Sequence, residues 1–71
     1  MYNGNTLTIK GGTIKKVVLT ASGANYTTNA TVNTGSISKS GAVETWTGST
    51  TELVLTATQT CRIQSIVVTY E

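Results

Sequence analysis

Two runs of β-branched residues share one pattern of apolar and polar positions. Residues 13–21 read TIKKVVLTA, and residues 62–70 read RIQSIVVTY. Each run contains an isoleucine, two polar residues, three aliphatic residues and a threonine in the same order, at an offset of 49 residues. β-Branched residues fit the pleated surface of a sheet better than a helix. The shared pattern predicts two related strands that lie together at the centre of the fold.

Both runs break the two-residue alternation of a strand at the same place. Ile14 and Ile63 each precede the next inward aliphatic residue by three positions instead of two. Either the isoleucine points to the opposite face, or one extra residue forms a β-bulge and resets the phase. Because both runs share the slip, we favour bulges at 15–16 and 64–65. The inward side chains of the second run, Ile66, Val68 and Tyr70, are then expected to pack near Val17 and Leu19 of the first.

Alternation and turn residues predict the remaining strands. Residues 5–10 and 50–57 alternate apolar and polar side chains, as half-buried strands do. The Gly11-Gly12 pair between 5–10 and the first run predicts a tight β-hairpin. Residues 22–29 resemble a loop. Three weaker strands are expected at 30–33, 36–39 and 43–47, with turns at 34–35, 40–41 and 48–49.

Short strands with a turn signal about every ten residues are typical of a sandwich or barrel. Thr occurs 16 times, and no window shows the apolar spacing of an amphipathic helix. We therefore predict one all-β domain over residues 1–71. It is a small antiparallel β-sandwich or jelly-roll-like domain of about six or seven short strands, completed by self-association.

The short length of the chain predicts that it is stabilised by association with another chain. A 71-residue chain buries only about 60% of its unfolded surface, and such small domains depend on disulfides, metals or oligomerisation. Cys61 is the single cysteine, and the chain has neither His nor Asp. These counts exclude a disulfide within the chain and argue against a metal site or other cofactor. Self-association as a dimer or trimer remains as the source of additional stability.

Charge and composition restrict location and partners. Four Lys, one Arg and three Glu give a net charge of +2, too weak to indicate nucleic acid. No run approaches the roughly 20 apolar residues of a membrane helix, so we expect no membrane insertion. A chain rich in Thr, Ser, Asn and Gly is typical of secreted or cell-surface proteins. The polar start at Met1 shows no signal peptide, so an exported protein would have had its signal removed or would carry it on a longer precursor.

Five segments together resemble part of a known module: residues 7–9, 14–20, 46–48, 53–56 and 62–70. They resemble the C-terminal half of a galactose-binding-like jelly-roll module in large secreted or surface proteins of gut bacteria. The resemblance implies a β-sandwich whose earlier strands would precede Met1. It implies no catalytic residues. Sheet edges left open by missing strands would pair with another chain, so the resemblance also predicts a homo-oligomer.

Catalytic chemistry has little support. A Ser or Cys nucleophile needs a base, most often His, oriented by an acid. Cys61 stands beside Arg62, but a small inert residue at the start of a strand is the favoured interpretation. Glu44 and Glu52 could face each other as a glycosidase pair. We favour two solvated glutamates on outer faces, and we expect no enzyme.

Aromatic residues supply the alternative function, carbohydrate binding. Trp46 and Tyr26 are candidate platforms for sugar stacking, and Asn25 and Asn29 are candidate partners for sugar hydroxyls. A polysaccharide or glycoprotein would then be the ligand. The competing interpretation places Trp46 in the core and uses Tyr26 to anchor its loop. We favour the core for Trp46.

A third function, binding of single-stranded nucleic acid by a small basic β-barrel, depends on four cations. Lys10, Lys15, Lys16 and Arg62 would form one basic patch if the two β-branched runs were neighbours. No aromatic residue interleaves with the lysines, so solvated lysines at sheet edges are favoured. The leading function is a non-catalytic structural or adhesive extracellular β-module that self-associates.

Overall fold

The computed structural model describes residues 3–71, which form seven strands and one short 3₁₀ turn, Ala24–Tyr26. No α-helix occurs in this part of the chain, and the prediction of an all-β domain is confirmed. The strands are β1 (Thr6–Ile9), β2 (Ile14–Ala21), β3 (Thr31–Val32), β4 (Ser36–Ser40), β5 (Val43–Thr50), β6 (Leu53–Thr56) and β7 (Ile63–Tyr70).

The strands form two sheets with antiparallel pairing throughout. The three-stranded sheet has the order β1-β6-β3, and the four-stranded sheet has the order β4-β5-β2-β7. A small β-sandwich with a single core results. The core-forming side chains from the four-stranded sheet are Ile14, Val17, Leu19 and Trp46, and those from the three-stranded sheet are Leu53 and Leu55.

The two β-branched runs are neighbouring strands, as their shared pattern predicts. Val17 lies opposite Val68, and Leu19 lies opposite Ile66. The register between β2 and β7 shifts twice, once at Lys15 and once at Gln64, where one residue of a strand has no counterpart on the other. These are the two predicted bulges.

The bulge in β2 has the expected effect on side-chain direction. Ile14, Val17 and Leu19 are all buried, although three residues separate the first two. Lys15 and Lys16, which lie between them, are exposed. The extra residue therefore brings the isoleucine back to the core face.

The position of β7 differs from the prediction that both runs are central strands. β2 lies between β5 and β7, so only β2 is central and β7 is an edge strand. The four-stranded sheet faces a sheet of only three strands. Within that pairing β3 contacts β4, which is the edge of the four-stranded sheet opposite β7. The inner face of β7 is consequently only partly covered: Val68 is half-buried, but Ile66 remains 43% exposed.

The predicted hairpin at Gly11-Gly12 is wrong. β1 pairs with β6, whereas β2 pairs with β5 and β7, so the glycine pair carries the chain from one sheet to the other. Both glycines have positive φ, +118° and +151°. The Tyr70 ring packs against this connection, and its hydroxyl donates a hydrogen bond of 2.8 Å to the Lys10 carbonyl. Alternation identified the inward side chains of β1 but not its partner strand.

Candidate functional site

Trp46 lies in the core and not on the surface, where a sugar-stacking platform would have to be. The side chain is fully buried, and its Nε1–H donates a hydrogen bond of 2.8 Å to the Thr34 carbonyl. The ring also covers the backbone of Gly35 and Gly48. Neither face of the indole is open to a ligand. The core role that the sequence favoured is the observed one.

Tyr26, by contrast, is on the surface. Its side chain is 43% exposed, and the guanidinium carbon of Arg62 lies 5.1 Å from the centre of its ring. The Arg62 amide donates a hydrogen bond of 2.8 Å to the Tyr26 carbonyl, which ties the loop to the segment before β7. Asn25 and Asn29 are exposed in the same loop. The structure therefore groups three of the four predicted ligand-binding residues and separates Trp46 from them.

A buried polar cluster under this loop was not predicted. Glu44 is only 2% exposed, and its carboxylate accepts hydrogen bonds from both the backbone amide and the hydroxyl of Thr28, at 2.5 and 2.8 Å. The Thr28 hydroxyl also accepts a bond of 3.1 Å from the Ala30 amide. The cluster fixes residues 27–30 against β5, and with them the loop that carries Tyr26.

The prediction that Glu44 is solvated on an outer face is wrong. Glu44 and Trp46 are two residues apart on β5, so both point to the same face of the sheet. Once Trp46 is placed in the core, alternation requires Glu44 to be inside as well. Glu52 lies outside, where its Oε1 is 3.7 Å from the Lys10 ammonium. The two carboxylates therefore do not face each other, and no glycosidase pair is formed.

The four cations do not form one basic patch. Because β2 and β7 are antiparallel, Lys16 at the start of β2 lies opposite Thr69 near the end of β7. Arg62 lies at the other end of the strand pair, where its carbonyl accepts a hydrogen bond from Ser22. Lys16 and Ser22 are six residue steps apart along the extended chain, which is about 20 Å. The predicted basic groove is divided between opposite ends of the sandwich.

Cys61 lies in the interior. Its side chain is 1% exposed, two residues before the start of β7. This placement agrees with a small packed residue and withdraws the sulfur from reagents and ligands. Elsewhere in residues 3–71, no group of three or more His, Cys, Asp or Glu side chains is arranged to hold a metal ion.

The exposed edge of β7 is the most unusual surface of the described chain. Val67 is 58% exposed on the outer face, and Ile66 and Tyr70 are more than two-fifths exposed on the inner face. No charged residue occurs between Arg62 and Glu71. Natural edge strands are commonly shortened, charged or covered, because an open edge offers unpaired backbone groups to another chain. β7 has eight residues, no charge and no covering strand; its one edge protection is the bulge at Gln64, which leaves the register of residues 65–69 unbroken.

The other sheet edges are protected. β4, at the opposite side of the four-stranded sheet, has five residues, of which Lys39 is charged and Ile37 is the single aliphatic one. β1 and β3, the edges of the three-stranded sheet, have four and two residues. Short or charged edges bind a further strand poorly. Among the described edges, β7 is therefore the one suited to pairing.

No family model, curated protein or solved structure matches this chain. Within residues 3–71, no helix has the length and apolarity needed to cross a membrane.

Proposed function

We propose that this chain is a non-catalytic structural or adhesive β-module that acts by self-association, in a secreted or cell-surface setting. The observation that carries the proposal is the open edge of β7, with eight residues, no charge and three exposed large apolar side chains. Pairing at this edge satisfies its backbone groups and removes apolar surface from water. The resemblance to a galactose-binding-like module agrees with such a role.

Self-association is tested by sedimentation velocity from about 10 µM to about 1 mM, the range in which an interface one strand wide is expected to act. We expect the average mass to rise with concentration. Val67→Lys places a charge on the open edge of β7 and should leave the chain monomeric. Ser38→Lys adds the same charge to the exposed edge strand β4 and is the matched control, with association unchanged.

Two results would contradict the proposal. One is a parent chain that stays monomeric over the whole concentration range. The other is a Val67→Lys variant that associates as well as the Ser38→Lys control. The fold of each variant is checked by the fluorescence of the buried Trp46, which shifts when the core opens.

A second candidate function is carbohydrate binding at the Tyr26 loop. It is favoured by one observation, the half-exposed Tyr26 ring beside the exposed amide of Asn25. Aromatic rings stack on apolar faces of sugars, and amides bond their hydroxyls. The test is a glycan array with the parent chain and Tyr26→Ala. Signals that Tyr26→Ala removes support this function, and signals that persist in Tyr26→Ala, or an empty array, exclude it.

A further inference from the structure

The open edge of β7 is complementary to itself. In an antiparallel pair of two β7 strands with Val67 opposite Val67, Ile66 lies opposite Val68 and Ser65 lies opposite Thr69. Aliphatic residues then meet aliphatic residues, and hydroxyls meet hydroxyls. Cross-strand pairs of this kind stabilise a sheet, whereas like charges directly opposite destabilise it. Since residues 63–70 carry no charge, the register contains no repulsive pair.

We propose that two copies of this chain pair through β7 about a two-fold axis at Val67, which joins their four-stranded sheets into one sheet of eight strands. The inference rests on the proposed self-association and adds its partner, stoichiometry and register. The axis is perpendicular to the sheet, so a side chain on the inner or outer face of one copy is on the same face of the joined sheet. Ile66 and Val68 of both copies remain on the inner face, and the two Val67 side chains meet on the outer face.

This arrangement covers the surface that the three-stranded sheet leaves open. In one copy, Ile66 is 43% exposed because no strand of the opposite sheet covers it fully. In the dimer, Ile66 of each copy packs beside Val68 of the other. The four side chains form an apolar strip between the two sandwiches. Burial of apolar side chains is the main driving force for such association.

Neighbouring registers are less favourable. Only registers that place residues of the same face opposite each other keep the two sheets continuous. A two-fold axis at Ile66 would place Gln64 opposite Val68 and Ser65 opposite Val67, which pairs polar with aliphatic side chains. An axis at Val68 would place Val67 opposite Thr69 and shorten the paired segment. The axis at Val67 matches side-chain types over residues 65–69, and the mismatched pair of Gln64 and Tyr70 lies outside this segment.

The proposal also limits the assembly to two copies. A two-fold interface uses the same edge of both copies, so it closes after one contact. Growth into a filament would need the opposite edge, β4, which is shorter and carries Lys39. Of the dimer and trimer that chain length permits, the geometry of β7 selects the dimer.

A charge exchange tests the register. Ser65 and Thr69 are both exposed. The variant Ser65→Lys/Thr69→Glu places opposite charges across the dimer at both ends of the paired segment. The variant Ser65→Glu/Thr69→Glu places like charges there. The two share Thr69→Glu, which lies opposite Lys16 of its own chain, and differ only at residue 65. We expect the like-charge variant to dimerise about tenfold more weakly.

Disulfide trapping gives an independent measurement. In the proposed dimer the two Val67→Cys thiols face each other at a backbone spacing that accepts a disulfide. Ser65→Cys alone should not form a disulfide-linked dimer, since the two Ser65 positions are offset by four residues along the paired strands, about 13 Å. Mixing Ser65→Cys with Thr69→Cys should restore the cross-link. The parent chain, whose Cys61 is buried, sets the background under the same oxidant.

The outcomes separate the two proposals. A concentration-dependent dimer with cross-linking at Val67→Cys and in the mixture supports both. A dimer that shows no such cross-links, or that responds equally to both charge variants, overturns the register while self-association stands. A chain that remains monomeric to about 1 mM overturns both.

Discussion

The indole of Trp46 lies against the backbone of Gly48, two residues further along β5. A Cβ atom built on Gly48 would stand 2.7 Å from Cζ2 of the ring, closer than van der Waals contact allows. Glycine is therefore required beside the ring, inside a strand where glycine normally weakens the structure. The sequence predicted a turn at residues 48–49 from this glycine, but both residues lie inside β5 (Val43–Thr50).

Gly48→Ala is expected to lower the free energy of unfolding by about 1–3 kcal/mol, because the added methyl group overpacks the core next to Trp46. Gly23→Ala is the matched control: a Cβ there meets Tyr26 at 3.4 Å, an ordinary contact, and the backbone is extended. Urea unfolding monitored by Trp46 fluorescence measures the free energy of unfolding of both variants. Equal losses in the two variants would show that the ring does not require the glycine.

Thr28→Val is expected to lower the free energy of unfolding by about 1–3 kcal/mol, because it removes the hydroxyl that donates to the buried Glu44 carboxylate. Valine has nearly the same shape as threonine, so packing changes little. Thr28→Ser keeps the hydroxyl and is the control, with a smaller loss. Urea unfolding at fixed pH measures the difference. A Thr28→Ser variant as unstable as Thr28→Val would assign the effect to packing instead.

The bulge at Gln64 predicts a contrast along β7. Val68→Asp should lower stability by about 2–3 kcal/mol or prevent folding, because it places a carboxylate against the core. Gln64→Lys should be tolerated, since Gln64 is the exposed extra residue of the bulge. Thermal unfolding of both variants at low concentration gives the comparison. If Gln64→Lys is as damaging as Val68→Asp, the bulge is wrongly placed.

Cys61 is expected to react slowly with a thiol reagent in the folded protein, because its side chain is 1% exposed. The reaction should accelerate across the same urea range in which Trp46 fluorescence changes, since unfolding exposes the sulfur. Absorbance of the released chromophore follows the reaction. Rapid labelling without urea would place the sulfur on the surface and contradict the packed role.

Local pattern located the seven strands and both bulges, although it placed a turn at residues 48–49, inside β5, and joined the last residue of β5 to β6 in one strand at 50–57. The shared slip after Ile14 and Ile63 located residues 15–16 and 64–65 as irregular, and the register shifts occur there. Alternation also placed Glu44 and Trp46 on one face. Burial of that face was not predicted for Glu44, because a carboxylate is rarely buried without a charged partner. Its partner is the Thr28 backbone and hydroxyl, which the sequence does not show to be near.

Strand order was not predictable from the same pattern. Side-chain alternation reports which face of a strand is buried, and it carries no information on the neighbouring strand. The sequence therefore paired β1 with β2 through Gly11-Gly12, whereas β1 pairs with β6. The edge position of β7 was missed for a related reason. Its composition is that of a buried strand, although no strand of its own chain pairs with its outer edge.

The pairing of β2 with β7 also has a consequence for the speed of folding. Val17 and Val68 lie opposite each other in the sheet but are separated by most of the sequence. Closing such a long loop lowers the entropy of the chain before any stabilising contact has formed. Folds dominated by contacts between distant residues therefore form in milliseconds to seconds. We therefore expect this small domain to fold slowly for its size. We expect the meeting of its two β-branched runs to limit the folding rate.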